Sequence, residues 1–298
     1  LRSRQPDLPV IMISGHGNIE TAVSAIKRGA YEFLEKPFKS DRLLLLVERA
    51  LEAANLKREN RRLRAQAITP DGFLGRSMAA QQLRQMVAKL AAANSRVLIS
   101  GPPGSGKETV ARLIHAASAR GRNEFVVISA AGMTPERVDS ELFGEEGEGG
   151  RPHKIGVFER AHGGTLYLDE VADMPRETQS RILRVLVEQR FRRVGGDTDV
   201  QVDVRVVSST SRDLRAEIAA GRFREDLFHR LNVVPVNVPG LAERREDIPE
   251  LLADFINRIC EATGLPRRTL AEDALATLQV RDWPGNLRQL RNNVERML

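Results

Sequence analysis

Residues Gly101-Pro102-Pro103-Gly104-Ser105-Gly106-Lys107 follow the apolar run Arg96–Ser100 and open a segment of helical spacing. In that context a glycine-rich turn lets backbone N–H groups approach a phosphate, and the helix N-terminus favours negative charge. Lys107 then reaches the outer phosphates. The alternative is a glycine-rich strand-to-helix turn without a ligand. Glu108 stands where Ser or Thr usually helps hold magnesium, and Thr109, one residue on, need not replace it.

Downstream, Thr165-Leu166-Tyr167-Leu168-Asp169-Glu170 reads as an apolar strand ending in two acids. Phosphoryl transfer needs a carboxylate to hold magnesium and a group to orient the attacking water. Asp169 suits the first role and Glu170 the second. Alone, such a pair would read as solvated surface; beside a phosphate loop it reads as catalytic.

Residues 73–239 alternate helical segments with apolar runs, notably Arg96–Ser100, Phe125–Ser129, Thr165–Leu168 and Val202–Ser208. This predicts a parallel sheet covered by helices. After Pro239 the pattern is helical only: Ile248–Glu261, Ala271–Leu278 and Asn286–Leu298 predict a small all-α subdomain. Upstream, Leu8–Ile13, Ile19–Arg28 and Tyr31–Leu34 read as strand, helix, strand, the tail of a parallel α/β domain. From Lys39 to Ala67 there is neither Gly nor Pro, so helix continues. Leu46, Ala53, Asn60 and Ala67 fall one heptad apart with Leu56 and Leu63 between them. An Asn at one core position and Leu at the next is the register device of a parallel coiled coil, with a solvated linker as the alternative. The fold expected is α/β throughout, with segments 1–38, 39–69, 70–239 and 240–298.

The chain has 298 residues, 41% hydrophobic and 29% charged, which excludes a disordered tail. No run approaches the ~20 apolar residues of a membrane helix, so a soluble, cytoplasmic protein is expected. The single cysteine, Cys260, forms no internal disulfide, and no Cys/His cluster has zinc spacing. With 4% aromatic residues, a surface that stacks single-stranded bases is disfavoured. Lys and Arg exceed Asp and Glu by 46 to 40, partly in Lys57, Arg58, Arg61, Arg62 and Arg64 against Glu59. The first residue is Leu1, with no signal-peptide pattern after it, and the chain reads as a fragment that begins inside a domain.

Further motifs are Glu141-Leu142-Phe143-Gly144, Gly163-Gly164-Thr165-Leu166, Phe223-Arg224-Glu225-Asp226-Leu227, His229-Arg230-Leu231-Asn232 and Trp283-Pro284-Gly285-Asn286-Leu287-Arg288. With the loop ending in Lys107-Glu108, the chain resembles the AAA+ central domain of bacterial enhancer-binding proteins, the activators of sigma-54 RNA polymerase. The resemblance extends to a response-regulator receiver and is nearest the nitrogen-regulation members. It implies a partial receiver, a helical linker, and a P-loop NTPase domain with a C-terminal helical lid. It implies ATP or ADP as ligand, with magnesium on Asp169. Arg224 and Arg230 resemble the pair that reaches a neighbouring subunit's γ-phosphate, although Glu225 and Asp226 offer ordinary salt-bridge partners. Arg288 resembles the lid arginine that contacts the nucleotide, and Thr210 and Ser211 sit at the polar sensor position. Ser14, Phe33 and Lys36, the last followed by Pro37, resemble the hydroxyl, aromatic and lysine of a receiver switch; read alone they are ordinary surface and core residues. The phosphoacceptor aspartate of a receiver would lie upstream of Leu1.

The implied partners are a sensor histidine kinase acting on the intact receiver, DNA through a domain beyond Leu298, and further copies of the chain as a dimer or a closed ring of roughly six or seven. The pattern breaks at two places. Enhancer-binding proteins touch sigma-54 through a GAFTGA loop, where this chain reads Glu145-Glu146-Gly147-Glu148-Gly149-Gly150-Arg151-Pro152-His153-Lys154. This predicts a mobile acidic loop with no apolar tip, which speaks against work on sigma-54. Ser129 stands where relatives carry an Asn that restrains the catalytic glutamate, which predicts a weaker restraint on Glu170. The reading is a transcriptional response regulator whose AAA+ domain binds and hydrolyses ATP. The alternative is a nucleotide-binding oligomerisation module with slow hydrolysis that acts independently of sigma-54.

Overall fold

The computed structural model describes residues 9–15, 30–40, 42–44, 46–52, 73–131, 133–147, 151–266 and 268–298. The chain divides into two compact units, Leu1–Pro70 and Asp71–Leu298. In the first, β1 (Ile11–Ser14) and β2 (Glu32–Glu35) pair in parallel, with Ser14 opposite Glu35. Lys36 N donates to Ser14 O at 2.9 Å, and the Lys36–Pro37 peptide is cis. Residues 46–52 are helical. The predicted helix at 19–28 and the heptad positions from 53 onward lie outside the described residues.

The second unit begins with α1 (Met78–Ala92), capped by Ser77, whose Oγ accepts from Ala80 N at 3.1 Å. Then come β3 (Val97–Ser100), α2 (Lys107–Ala116), β4 (Phe125–Ser129) and α3 (Pro135–Phe143). A small antiparallel pair, β5 (Glu145–Glu146) and β6 (Pro152–Lys154), leads to α4 (Val157–Arg160) and β7 (Thr165–Asp169). Next follow α5 (Arg176–Glu188), a hairpin of β8 (Arg190–Arg192) and β9 (Asp199–Gln201), and β10 (Arg205–Thr210). The sheet domain closes with α6 (Leu214–Ala219), α7 (Glu225–Leu231) and β11 (Val234–Asn237).

The strand order is β11-β3-β10-β7-β4, all parallel. Because a strand alternates faces, Leu166 and Leu168 of β7 join one core with Val126, Ile128, Phe143 and Ile182, while Tyr167 joins the other with Val97, Ile99, Val110 and Val207. Burial on both faces makes these strands continuous apolar runs.

Two strand assignments differ from expectation. β10 runs Arg205–Thr210, not Val202–Ser208: Val202 and Val204 are buried outside the ladder, whereas polar Ser209 and Thr210 are buried within it. β11 carries Pro235 and pairs only with β3, since an edge strand tolerates the missing N–H.

The lid subdomain is a 3-10 segment, Leu241–Asp247, followed by α8 (Ile248–Thr263), α9 (Glu272–Val280) and α10 (Asn286–Met297). Its own core holds Leu252, Ile256, Cys260, Trp283, Leu290 and Val294. Among the described residues no helix is long and apolar enough to cross a membrane.

Candidate functional site

The loop between β3 and α2 sits at the carboxyl edge of the sheet, where ligands bind in open α/β folds. Gly101 N donates to Thr210 O of the neighbouring strand at 3.3 Å. Gly104 has φ +73, and a Cβ there would stand 2.4 Å from Gly285 O, so this turn admits only glycine. The hydroxyl of Ser105 is buried in the loop and has no hydrogen-bond partner among the described residues. Lys107, the first residue of α2, is 6% exposed and curls back over the loop. Its Nζ donates to Gly101 O and meets Glu170 Oε1, both at 3.0 Å. Glu108 turns away, with Oε1 accepting from Arg112 Nε at 2.8 Å and Nη2 at 2.6 Å. Thr109 is exposed on the same turn.

The two acids end β7 between β4 and β10. Glu170 adopts φ 52 and ψ 58, a left-handed conformation uncommon for a residue with a side chain. Its Oε2 accepts from Ser211 N at 2.7 Å and Ser211 Oγ at 2.9 Å. Burial raises the Glu170 pKa, but the Lys107 hydrogen bond, the two from Ser211 and the lysine charge together hold it below the ordinary value. Asp169 has separate partners: Tyr167 OH donates to its Oδ1 at 3.0 Å and Ser209 Oγ at 2.7 Å. Thr210 Oγ1 instead serves its own turn, donating to Arg212 O and accepting from Arg212 N, both at 3.1 Å. Ser129 is opposite Asp169 in the ladder, and among the described residues no hydrogen bond joins it to Glu170.

Among the described residues, neither Arg224 nor Arg230 forms a hydrogen bond or ion pair with the phosphate loop, Asp169 or Glu170. Arg224 caps α7 and forks onto Asp226, with Nε to Oδ1 at 3.0 Å and Nη2 to Oδ2 at 2.6 Å. Arg230 is exposed, and among the described residues its guanidinium has no carboxylate partner.

The lid meets the loop directly. Leu287 N donates to Gly104 O at 2.9 Å. Asn286, at φ 51, donates from Nδ2 to Pro103 O at 2.9 Å and accepts at Oδ1 from Leu241 N at 2.6 Å. Arg288 is exposed, with its Cβ 3.2 Å from where a Gly104 Cβ would stand. Arg244, 1% exposed, donates from Nη2 to Ser105 O at 2.8 Å and stacks over Phe73 at 4.2 Å. Burial lowers its pKa to about 10 against the pull of Asp247 and Glu243. Sequence reasoning missed Arg244, Ser209 and the bracketing role of Asn286. The signals were an Asn directly after Gly285, and polar residues at a strand end.

The sigma-54 interaction domain family matches residues 73–237, more than half of the chain. The chain belongs to that family. The AAA+ ATPase lid domain matches 242–298 and the response regulator receiver domain 1–48. The chain therefore joins part of a receiver domain to a sigma-54 interaction domain with its lid. It is 63% identical over 299 aligned residues to the nitrogen assimilation regulatory protein NtrX of Azorhizobium caulinodans, covering 100% of this chain and 65% of that protein. The solved NtrX of Brucella abortus in complex with ADP is 60% identical with a TM-score of 0.80, covering 99% of this chain and 67% of that one. The same protein in complex with ATP is 59% identical with a TM-score of 0.83, covering 99% and 64%. The chain thus spans about two thirds of the relatives it matches.

The segment 145–154, expected as a mobile acidic loop, has hydrogen-bonded stems at 145–147 and 151–154. Gly147 N donates to Arg151 O at 2.7 Å, closing the β5–β6 hairpin. Arg193, 9% exposed, binds Glu146 at 3.4 Å and Glu159 at 2.8 Å, and Glu146 N donates to Val194 O at 3.0 Å. Lys154 pairs with Glu141 at 3.0 Å on the other stem. Glu146 thus ties the hairpin to an arginine that Glu159 of α4 also holds.

Proposed function

We propose that this chain binds ATP or ADP at Gly101–Thr109 and hydrolyses ATP in an oligomer, as the motor or switch of a transcriptional response regulator. The observation that carries the reading is the meeting of Lys107, Asp169 and Glu170 at one edge of the sheet, with Lys107 and Glu170 3.0 Å apart. The ADP and ATP complexes of the Brucella abortus relative support the same ligand here. A magnesium ion suits Asp169, a hard oxygen donor whose Oδ2 has no partner among the described residues, together with nucleotide phosphates and water. Bound there, it would neutralise phosphate charge during transfer.

The chain's own groups divide the remaining work. Lys107 exchanges Glu170 for the outer phosphates. Glu170, its carboxylate ionised, accepts the proton of the attacking water once the lysine has left it. Arg224 and Arg230, which among the described residues form no hydrogen bond or ion pair with this chain's loop, serve the site of an adjacent copy, so turnover should rise with oligomerisation. Arg288 and Ser211 sense the nucleotide from the lid and the strand end. Phosphate release measured against protein concentration tests this. Turnover that stays negligible where oligomers form, or that is unchanged in Glu170→Gln, refutes hydrolysis.

A second reading has its own support. Glu170 is engaged by Lys107 and Ser211, and the hairpin is pinned by Arg193. Both fit a nucleotide-gated oligomerisation module that acts without sigma-54, controlled by a kinase through the receiver and by DNA through a further domain. Open-complex formation by the full-length protein at a sigma-54 promoter would refute that independence.

A further inference from the structure

Tyr167 lies wholly buried in the core face that holds Val97, Ile99, Val110 and Val207. Packing alone would be satisfied there by a phenylalanine, yet the hydroxyl donates to Oδ1 of Asp169, the last residue of the same strand, at 3.0 Å. Ser209, also fully buried, donates to the same oxygen at 2.7 Å. The direction of that bond is determined: Glu170 N can only donate, and it gives its proton to Ser209 Oγ at 3.2 Å. The serine proton is therefore free for the carboxylate.

A carboxylate oxygen offers about two acceptor positions. On Oδ1 both are used, one by a residue of β7 and one by a residue of β10. Among the described residues Oδ2 has no partner. The group is thus anchored by one oxygen and presents the other.

We propose that Tyr167 and Ser209 are positioning residues that occupy Oδ1 of Asp169 and so present Oδ2 as a one-oxygen ligand for the divalent cation of the nucleotide. This rests on the reading of Asp169 as the metal-holding carboxylate. The consequence is selectivity. Magnesium demands compact octahedral coordination and takes carboxylates through one oxygen, whereas calcium accepts both oxygens at longer range. An Asp169 with Oδ1 already filled suits the smaller ion. Releasing Oδ1 should favour calcium.

The test uses the whole chain and a fluorescent ADP analogue, titrated in EDTA and then with magnesium or calcium added. Tyr167→Phe keeps the ring and removes one atom. It should leave affinity in EDTA unchanged, raise the half-saturating magnesium by about ten-fold, and shrink the preference for magnesium over calcium. Ser209→Ala should move both readouts in the same direction. A Tyr167→Phe protein whose magnesium response and cation preference match the parent, while Asp169→Asn loses the magnesium response, overturns the positioning role alone. A loss of affinity in EDTA would assign Tyr167 to packing and also overturn it. If Asp169→Asn keeps the full magnesium response, the metal reading beneath the proposal fails first.

Discussion

Lys107 Nζ stands 3.0 Å from Glu170 Oε1, so the cation of the phosphate loop is neutralised by the acid at the end of β7. A phosphate arriving at Lys107 competes with that acid. Glu170 then keeps only its two bonds from Ser211.

Glu170→Gln should separate binding from chemistry. The glutamine still accepts from Ser211 but no longer holds Lys107 by charge. Nucleotide affinity should be equal or tighter, while turnover falls by about 10²–10⁴-fold. Fluorescent-nucleotide titration and phosphate release on the same preparation check both halves.

The same pair sets a pH dependence. The folded Glu170 pKa lies below the ordinary 4.5, so its contribution to stability is complete above that value and is lost as pH falls through the folded one. The stability gap between the parent and Glu170→Gln should hold steady near neutrality and close in acid. Denaturant midpoints along a pH series measure it.

Lid and loop are joined through Gly104 and Asn286. Gly104→Ala puts a Cβ 2.4 Å from Gly285 O at φ +73, and should destabilise the chain by about 2 kcal/mol and weaken nucleotide binding. Asn286→Ala leaves Leu241 N without its side-chain acceptor, at about 1–3 kcal/mol. Thermal unfolding with and without ADP distinguishes a loosened lid from a loosened core.

Arg230 is exposed and unpaired by acids among the described residues, and its charge lowers the Arg96 pKa after the larger effect of burial. Arg230→Ala should therefore change stability by less than about 0.5 kcal/mol. Turnover in the oligomer should still fall by roughly 10³-fold or more. Mixing Arg230→Ala with Glu170→Gln chains should restore activity if each supplies what the other lacks.

Arg193→Ala leaves Glu146 and Glu159 facing each other without a cation, at about 3 kcal/mol. Proteolysis should then cut within 145–154 faster than in the parent. Equal cleavage would mean that the hairpin holds without the arginine.

Much of the site could be read from contiguous residues. Strand, glycine turn, lysine and helix follow one another from Arg96 to Ala116, and β7 announces itself by an apolar run ending in Asp169-Glu170. Strand ends were harder. Val202 reads as strand because it is apolar, yet it lies before the ladder, buried outside it. Ser209 and Thr210 lie beyond the predicted strand end at Ser208, yet they are buried and pair with β3.

The amino-acid sequence alone determined the fold class, the phosphate loop and the identity of the two acids, because each depends on short-range pattern or on a turn that only glycine can make. Which group each acid faces was decided by tertiary structure. Strand order placed β10 between β3 and β7, and so brought Ser209 to Asp169 and Ser211 to Glu170 across about forty residues of chain. Hydrogen bonds act over ångströms and sequence patterns over neighbours, so a partner chosen by sheet order has no local signature.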